Sequence, residues 1–351
     1  MFLLLEKKRK SNSWWKPFLD CLPNYKDYEG TPMTWKFDEN VEDEKLLSSL
    51  PKFTRLHVEK QIEQFNSDFA IVTSLLLPFQ NIFSKKEYLW AWITVNTRCM
   101  YFELPKYLQE NGSKNSSVNK ITLVPYADYI NHHFELRNAE ARCTKSGYDV
   151  VTIANVKKGE YIWFSYGPHN DSFLQCEYGF SMSNTNSMNN EKLFINKYNS
   201  IDITEIIVKL LNIPKKESVL KWLTQSGYLG DYTIGFETVD RTKDMGPHII
   251  SKPSHRTRIA LAALIEKEDD FKFNQEQYSF MCPVKLEKFL QGFNDGEYYL
   301  KTETALLQKI LTRYKKDLTS KLETLNSCES NFKSNIVRKL LSSELYLIEH
   351  V

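Results

Sequence analysis

Along this chain, apolar residues fall at helical spacing in some stretches and cluster in short β-rich runs in others. Residues 42–50 and 55–68 repeat at helical spacing, with apolar positions at 58, 62, 65 and 69. Glu87–Cys99 does the same, with Trp90, Ile93 and Thr97 along one face. Ahead of them, residues 2–20 read as a short helix and a Trp-rich turn, with Trp14 and Trp15 expected as core anchors. The polar stretch 111–120 is expected as a loop. Beyond it the pattern changes to strands: Ile-Thr-Leu-Val-Pro-Tyr at 121–126, then 150–153 and 161–164, these last two joined through a hairpin-like Lys-Lys-Gly-Glu turn. The first of these strands delivers Asp128, Asn131 and His132 on one irregular turn.

Residues 181–190 are all Ser, Thr or Asn apart from two methionines, a mixture that suits neither helix nor strand, so a domain boundary is expected there. Helical character returns at 204–212, 217–225, 255–268 and 283–291. It is strongest over 302–325, where Leu307, Leu311, Tyr314, Leu318, Leu322 and Leu325 step by three or four. Ala305, Leu306 and Ile310 widen that stripe, so it reads as a packed core face. The expected class is α+β.

Length, charge and cysteines narrow the function. At 351 residues the chain can build two cores, and 21 Phe with 19 Tyr supply bulky filling. A net charge of +2 implies no broad basic face, so nucleic acid is not an expected direct partner. The dense run Lys7-Lys8-Arg9-Lys10 reads as a solvated helix end. Cysteines at 21, 99, 143, 176, 282 and 328 lie too far apart for a zinc motif, so no metal site is expected and a reducing compartment fits. No segment has 18 consecutive apolar residues, and no membrane span is expected.

Three short pieces carry candidate chemistry: LVPYADYINHH (123–133), WFSYGPHND (163–171) and EYGF (177–180). In this order and spacing they resemble the cofactor-binding and catalytic half of a SET-domain protein-lysine methyltransferase. The branch is that of the Rubisco large-subunit and fungal ribosomal-protein lysine methyltransferases. SWWKPFLDCLP (13–23) and TPMTWKFDEN (31–40) are similar to landmarks of the helical insert in that branch. The likeness is specific over about 11–180 and only architectural over 191–351. It implies a SET domain over 1–182, with short strands, a threaded-loop core and a large helical insert. The insert would occupy about 1–118, the catalytic core about 119–182, and an all-helical substrate-binding domain 191–351. In the family, strands and a G-x-G turn precede the Trp-Lys-Pro landmark. No G-x-G occurs here before residue 123, so the SET domain is expected to lack its N-terminal strands and part of its cofactor floor, leaving sheet edges unpaired.

The activity implied is transfer of a methyl group from S-adenosylmethionine to a lysine ε-amine of a protein. A ribosomal protein or translation factor is the expected substrate; the alternatives are a histone, or a non-catalytic module that only grips a partner. By the same likeness Tyr166 is the catalytic tyrosine. Arg98, Asp128, Asn131, His132, Tyr166, Tyr178 and Phe180 form the cofactor site. Read from its residues alone, Arg98 also suits a helix C-terminus, where a cation complements the dipole. Tyr126 and Tyr129 are open between site and packing. The family implies a monomer in the cytoplasm, with the nucleus as a further location.

Overall fold

The computed structural model describes residues 1–38, 40–75, 83–102, 121–144, 147–184, 194–212, 216–239, 248–293, 296–327 and 330–351. The expected loop at 111–120 lies outside them, as does most of the 181–190 stretch. The chain forms two compact units. Unit 1 holds residues 1–47, 56–169 and 173–180, and unit 2 holds 48–55, 170–172 and 181–351.

The first third of the chain is helical: α1 (Phe2–Arg9), α2 (Lys16–Cys21), α3 (Met33–Phe37), α4 (Val41–Ser49), α5 (Lys52–Leu75) and α6 (Lys85–Arg98). Local sequence sets several of these ends. Pro17 sits in the first turn of α2, where its missing N–H leaves no bond unmade. Ser84 caps α6, its Oγ accepting from the Glu87 amide at 3.2 Å while Glu87 Oε2 accepts from the Ser84 amide at 2.6 Å. Met33, Trp35 and Phe65 are fully buried in the core of unit 1, with Val58, Leu89 and Ile93 nearly so. The buried indoles keep their N–H groups bonded: Trp35 donates to Glu29 O at 2.8 Å and Trp90 to Pro23 O at 2.7 Å. Trp14 corrects an expectation, for it is 81% exposed and Trp15 is only half-buried. The turn buries Ser13 instead, because its hydroxyl donates to the buried carboxylate of Glu6 at 2.6 Å.

Six short strands follow: β1 (Cys99–Tyr101), β2 (Ile121–Leu123), β3 (Asn131–His132), β4 (Ala139–Cys143), β5 (Tyr148–Thr152) and β6 (Trp163–Phe164), and then α7 (Asp171–Tyr178). β1 pairs antiparallel with β2, and β4 with β5. β6 runs parallel to β3, with Asn131 opposite Trp163 and His132 opposite Phe164. The Lys-Lys-Gly-Glu turn forms, the Glu160 amide donating to Lys157 O at 3.1 Å. The strands on its two sides pair elsewhere, however, so it does not close a hairpin. Asn138 captures the returning strand: its Nδ2 donates to Tyr161 O at 2.9 Å and its Oδ1 accepts from the Trp163 amide at 2.8 Å. Those two bonds tie β6 to the residue before β4, while the backbone, including His133 N to Phe164 O at 2.8 Å, holds β6 beside β3.

Unit 2 contains β7 (Ser200–Asp202), α8 (Thr204–Leu211), α9 (Glu217–Gln225), β8 (Thr233–Val239), β9 (His248–Pro253) and α10 (His255–Ile265). It continues with β10 (Lys272–Asn274), β11 (Ser279–Met281), α11 (Val284–Leu290), α12 (Gly296–Asn326) and α13 (Phe332–Glu349). The expected helices are present, but the unit is not all-helical. β7, β8 and β9 form an antiparallel sheet, with Ile201 opposite Ile234 and Phe236 opposite Ser251. Thr-Ile-Gly-Phe-Glu-Thr-Val (233–239) has the β-branched and aromatic composition of a strand, in a run too short for periodicity to announce. On α12, Leu307, Leu311, Leu318 and Leu325 are buried, and the helix packs against α13, where Val337, Leu340 and Leu341 are buried. Asp171 forms a buried hub, accepting from Asn199 Nδ2 at 2.8 Å, Asn196 Nδ2 at 3.0 Å and the Met182 amide at 2.9 Å.

Candidate active site

The site in unit 1 is assembled where α6 ends and β3 meets β6. Arg98, the last residue of α6, reaches the turn before β3. Its Nη1 donates to Asp128 Oδ2 at 3.1 Å and to the Asp128 carbonyl at 3.2 Å. That turn is tight: Tyr126 adopts φ 71, a conformation unusual for a non-glycine residue, and Asp128 N donates back to Val124 O at 3.2 Å. The Asp128 side chain is wholly out of solvent, and its Oδ1 has no partner among the described residues. Burial pushes this carboxyl above the usual aspartate range, and Arg98 only partly offsets it.

Parallel pairing of β3 with β6 brings His132 under the segment that carries Tyr166. The Tyr166 amide donates to His132 Nδ1 at 2.9 Å, and its hydroxyl donates to Ile130 O at 2.8 Å. Since Nδ1 accepts, the neutral ring carries its proton on Nε2, which is buried and has no partner among the described residues. Burial, with His133 and His169 nearby, pushes the His132 imidazole down to about 4. Tyr178 lies against Tyr166, ring centres 4.8 Å apart, and Phe180 lies 6.1 Å from His132 and 6.3 Å from Tyr166. Burial raises both tyrosines, Tyr178 to about 12, so their hydroxyls stay protonated.

These groups border a cavity of about 540 Å³, within the size range of small-molecule sites. Of the residues singled out from sequence, Arg98, Asp128, Tyr166 and Tyr178 line it. His132 and Phe180 lie in ring contact with Tyr166. Asn131 is exposed, its backbone paired with Trp163 on the parallel ladder. Tyr126 is 83% exposed and Tyr129 42%, the latter under the Arg98 guanidinium at 5.8 Å.

Sequence reasoning missed one wall, made by Glu140 of β4, Tyr148 of β5, Arg137 just before β4, and Tyr101 of β1. Glu140 binds Arg142 Nε at 2.7 Å and Arg137 Nη2 at 2.8 Å, and these bonds hold its carboxyl below the usual range. The antiparallel pairing of β4 with β5 places Glu140 and Tyr148 on this wall, and no motif marks any of the four. Gly30 was missed in the same way. A Cβ there would come 2.4 Å from Gly179 O, and Gly179 itself has φ 81. The backbone of Glu-Tyr-Gly-Phe can pass close to residue 30 because both positions are glycine.

The donor set suits a zwitterionic ligand with an aromatic part. It offers a guanidinium paired with a buried carboxylate, one oxygen of which has no partner among the described residues, and a face of Tyr and Phe rings. Among the described residues no group of His, Cys, Asp or Glu is arranged to hold a metal ion.

Comparison with known proteins agrees with the architecture. Residues 199–351 match the family model of the ribosomal lysine N-methyltransferase 2 C-terminal domain. The chain is 22% identical to ribosomal lysine N-methyltransferase 2 of Saccharomyces cerevisiae, over 92% of this chain and 64% of that protein. It is 30% identical to human SET domain-containing protein 4, over 67% of this chain and 51% of that one. Thus it spans between half and two thirds of the length of these curated relatives. Rubisco LSMT, solved with sinefungin and monomethyllysine, superimposes with a TM-score of 0.54 at 16% identity, covering 99% of this chain and 71% of the other. The same enzyme, solved with AdoMet, gives 0.53. The fold is therefore that of a SET-type lysine methyltransferase, and the chain is a relative of that group.

Proposed function

We propose that this chain, a relative of the SET-type lysine methyltransferases, is an S-adenosylmethionine-dependent protein-lysine N-methyltransferase, with a ribosomal protein as the favoured substrate. One observation carries the reading: Tyr166 lines the cavity with its hydroxyl oriented by Ile130 O, beside the Arg98–Asp128 pair. The substrate class rests on the named activity of the yeast relative.

In this reading Arg98 and Asp128 hold the charged amino-acid end of S-adenosylmethionine, Asn131 and His132 its neighbouring parts, and Tyr178 and Phe180 its aromatic part. The bound cofactor supplies an electrophilic methyl group on a sulfonium sulfur. The protein's own task is alignment, which for a direct displacement is the larger part of catalysis. Because its O–H donates a hydrogen bond to Ile130 O, the Tyr166 hydroxyl keeps its lone pairs to accept weak C–H···O contacts and to orient the incoming amine. The amine must arrive neutral, because an ammonium has no lone pair. Tyr166 and Tyr178, both held protonated, add no negative charge that would favour the ammonium form. The buried Asp128 carboxylate is partly neutralised by Arg98.

Two measurements test this reading. Calorimetric titration with S-adenosylmethionine should give micromolar binding, about 7–8 kcal/mol. Transfer to ribosomal protein, followed by mass spectrometry, should fall at least about 100-fold in Tyr166→Phe, with cofactor affinity within about twofold of wild type. Undiminished transfer would remove Tyr166 from the chemistry. Absence of cofactor binding would favour a module that only grips a partner.

A further inference from the structure

A second cavity in unit 1, of about 700 Å³, shares no residue with the first. Four lysines line it: Lys7 and Lys8 near the end of α1, Lys10 just beyond it, and Lys86 in the first turn of α6. Among the described lining residues a single carboxylate, Glu87, stands beside them and is already engaged. Its Oε2 accepts from the Ser84 amide at 2.6 Å, and its Oε1 lies 3.8 Å from Lys8 Nζ. Among the described lining residues, four ammonium groups thus face one carboxylate, and Asp38, beyond the lining, accepts from the Tyr25 hydroxyl at 3.1 Å.

Aromatic rings, not carboxylates, hold two of the four. Lys7 Nζ lies 3.3 Å from the centre of the Trp90 ring, and Lys86 Nζ 4.6 Å from that of Tyr25. A ring quadrupole positions an ammonium without cancelling its charge, whereas an ion pair does cancel it. Trp90 is fixed, being 4% exposed with its indole bonded to Pro23 O. Partial burial also lowers the Lys7 pKa, and Glu87 only partly offsets it.

We propose that this cavity docks an acidic segment of a partner protein, its Asp and Glu carboxylates received by Lys7, Lys8, Lys10 and Lys86. Nucleic acid is the poorer occupant. The lysines lie over the ring faces on which bases would stack, and a chain of net charge +2 offers no extended basic track for a phosphate backbone. Nothing in this assignment depends on the methyl-transfer reading.

The test is a fluorescence-anisotropy titration of the full chain with a labelled Asp/Glu-rich peptide, its Asn/Gln counterpart, and a single-stranded oligonucleotide of equal length. The acidic peptide should bind, more weakly as salt rises. Lys7→Gln/Lys86→Gln should bind it about tenfold more weakly. Because Lys7 covers Trp90, circular dichroism must first show that this variant folds. Lys10→Gln, at an exposed position, gives an independent reading and should cost about threefold. Equal binding of the acidic and neutral peptides, wild-type affinity in every folded variant, or tighter binding of the oligonucleotide would each overturn the proposal.

Discussion

A neutral imidazole at position 132 is a condition for the geometry around Tyr166, because only an unprotonated Nδ1 can accept the Tyr166 amide. His132 is 4% exposed, and its pKa is pushed from the ordinary 6.5 down to about 4. Between those values the unfolded chain binds the proton and the folded chain does not. The group's contribution is therefore complete above pH 6.5 and is lost as pH falls toward 4, by up to about 3 kcal/mol. His132→Gln should be less stable at neutral pH but should lose that part of the acid-side slope. Urea midpoints at pH 7, 6 and 5 measure it, and parallel slopes in the two proteins would show that His132 is not the titrating group. The histidine itself was legible from sequence, in the Ala-Asp-Tyr-Ile-Asn-His run. Its hydrogen bond was not, because the partner amide lies thirty-four residues downstream.

Among the elements, the α12–α13 pair shows what periodicity reveals and what it conceals. The leucine steps of α12 mark a buried face, and that face is buried. Tyr314 belongs to the same stripe, and its hydroxyl donates to Glu344 of α13. Burial raises the Glu344 carboxyl to about 7, against smaller opposing effects from Tyr314 and Lys321. The sign is opposite to that of His132. A carboxyl whose folded pKa is raised favours the fold below pH 4.5 and gives that advantage up as pH rises toward 7. Glu344→Gln keeps an oxygen acceptor for Tyr314 and removes the titration. It should raise stability by about 1–3 kcal/mol at pH 8 and by little at pH 5. Thermal melts at the two pH values decide the matter, and an equal gain at both would exclude titration as the cause. Short strands are harder to find than helices at this scale. β3 and β6 hold two residues each, and β6 is further anchored by the side chain of Asn138, which no strand pattern flags.

On the scale of the whole molecule, the compact units do not follow simple cuts in the chain. Unit 2 takes in residues 48–55 and 170–172 as well as everything from 181 onward. Leu50 and Thr54 are fully buried there, and Thr54 Oγ1 lies 2.8 Å from Ser172 Oγ. Asp171 accepts from Asn199, whose Nδ2 also donates to Ser343 at 2.6 Å. A fragment of residues 199–351 would leave these buried groups without their carboxylate, at a cost on the order of 3 kcal/mol. Residues 170–351 should therefore melt at a higher temperature and more cooperatively than 199–351. Identical melts would show that the Asp171 hub contributes nothing to the unit.

From sequence alone the chain determined its class, most of its long helices and the identity of its chemical groups, although α7 and α13 were not among the helices expected. Helix periodicity depends on residues close together along the chain, and the resemblance to SET-domain methyltransferases rests on short motifs, so Arg98, Asp128, His132 and Tyr166 could be named in advance from that likeness. Only the tertiary structure decided which of them meet. It put Arg98 on Asp128, set the Tyr166 amide on His132, left Asn131 exposed, and built a cavity wall from Arg137, Glu140 and Tyr148. It also placed Gly30 against Gly179 and a three-stranded sheet inside the second unit. These outcomes depend on strand register and backbone approach between distant segments, which composition and local spacing do not encode.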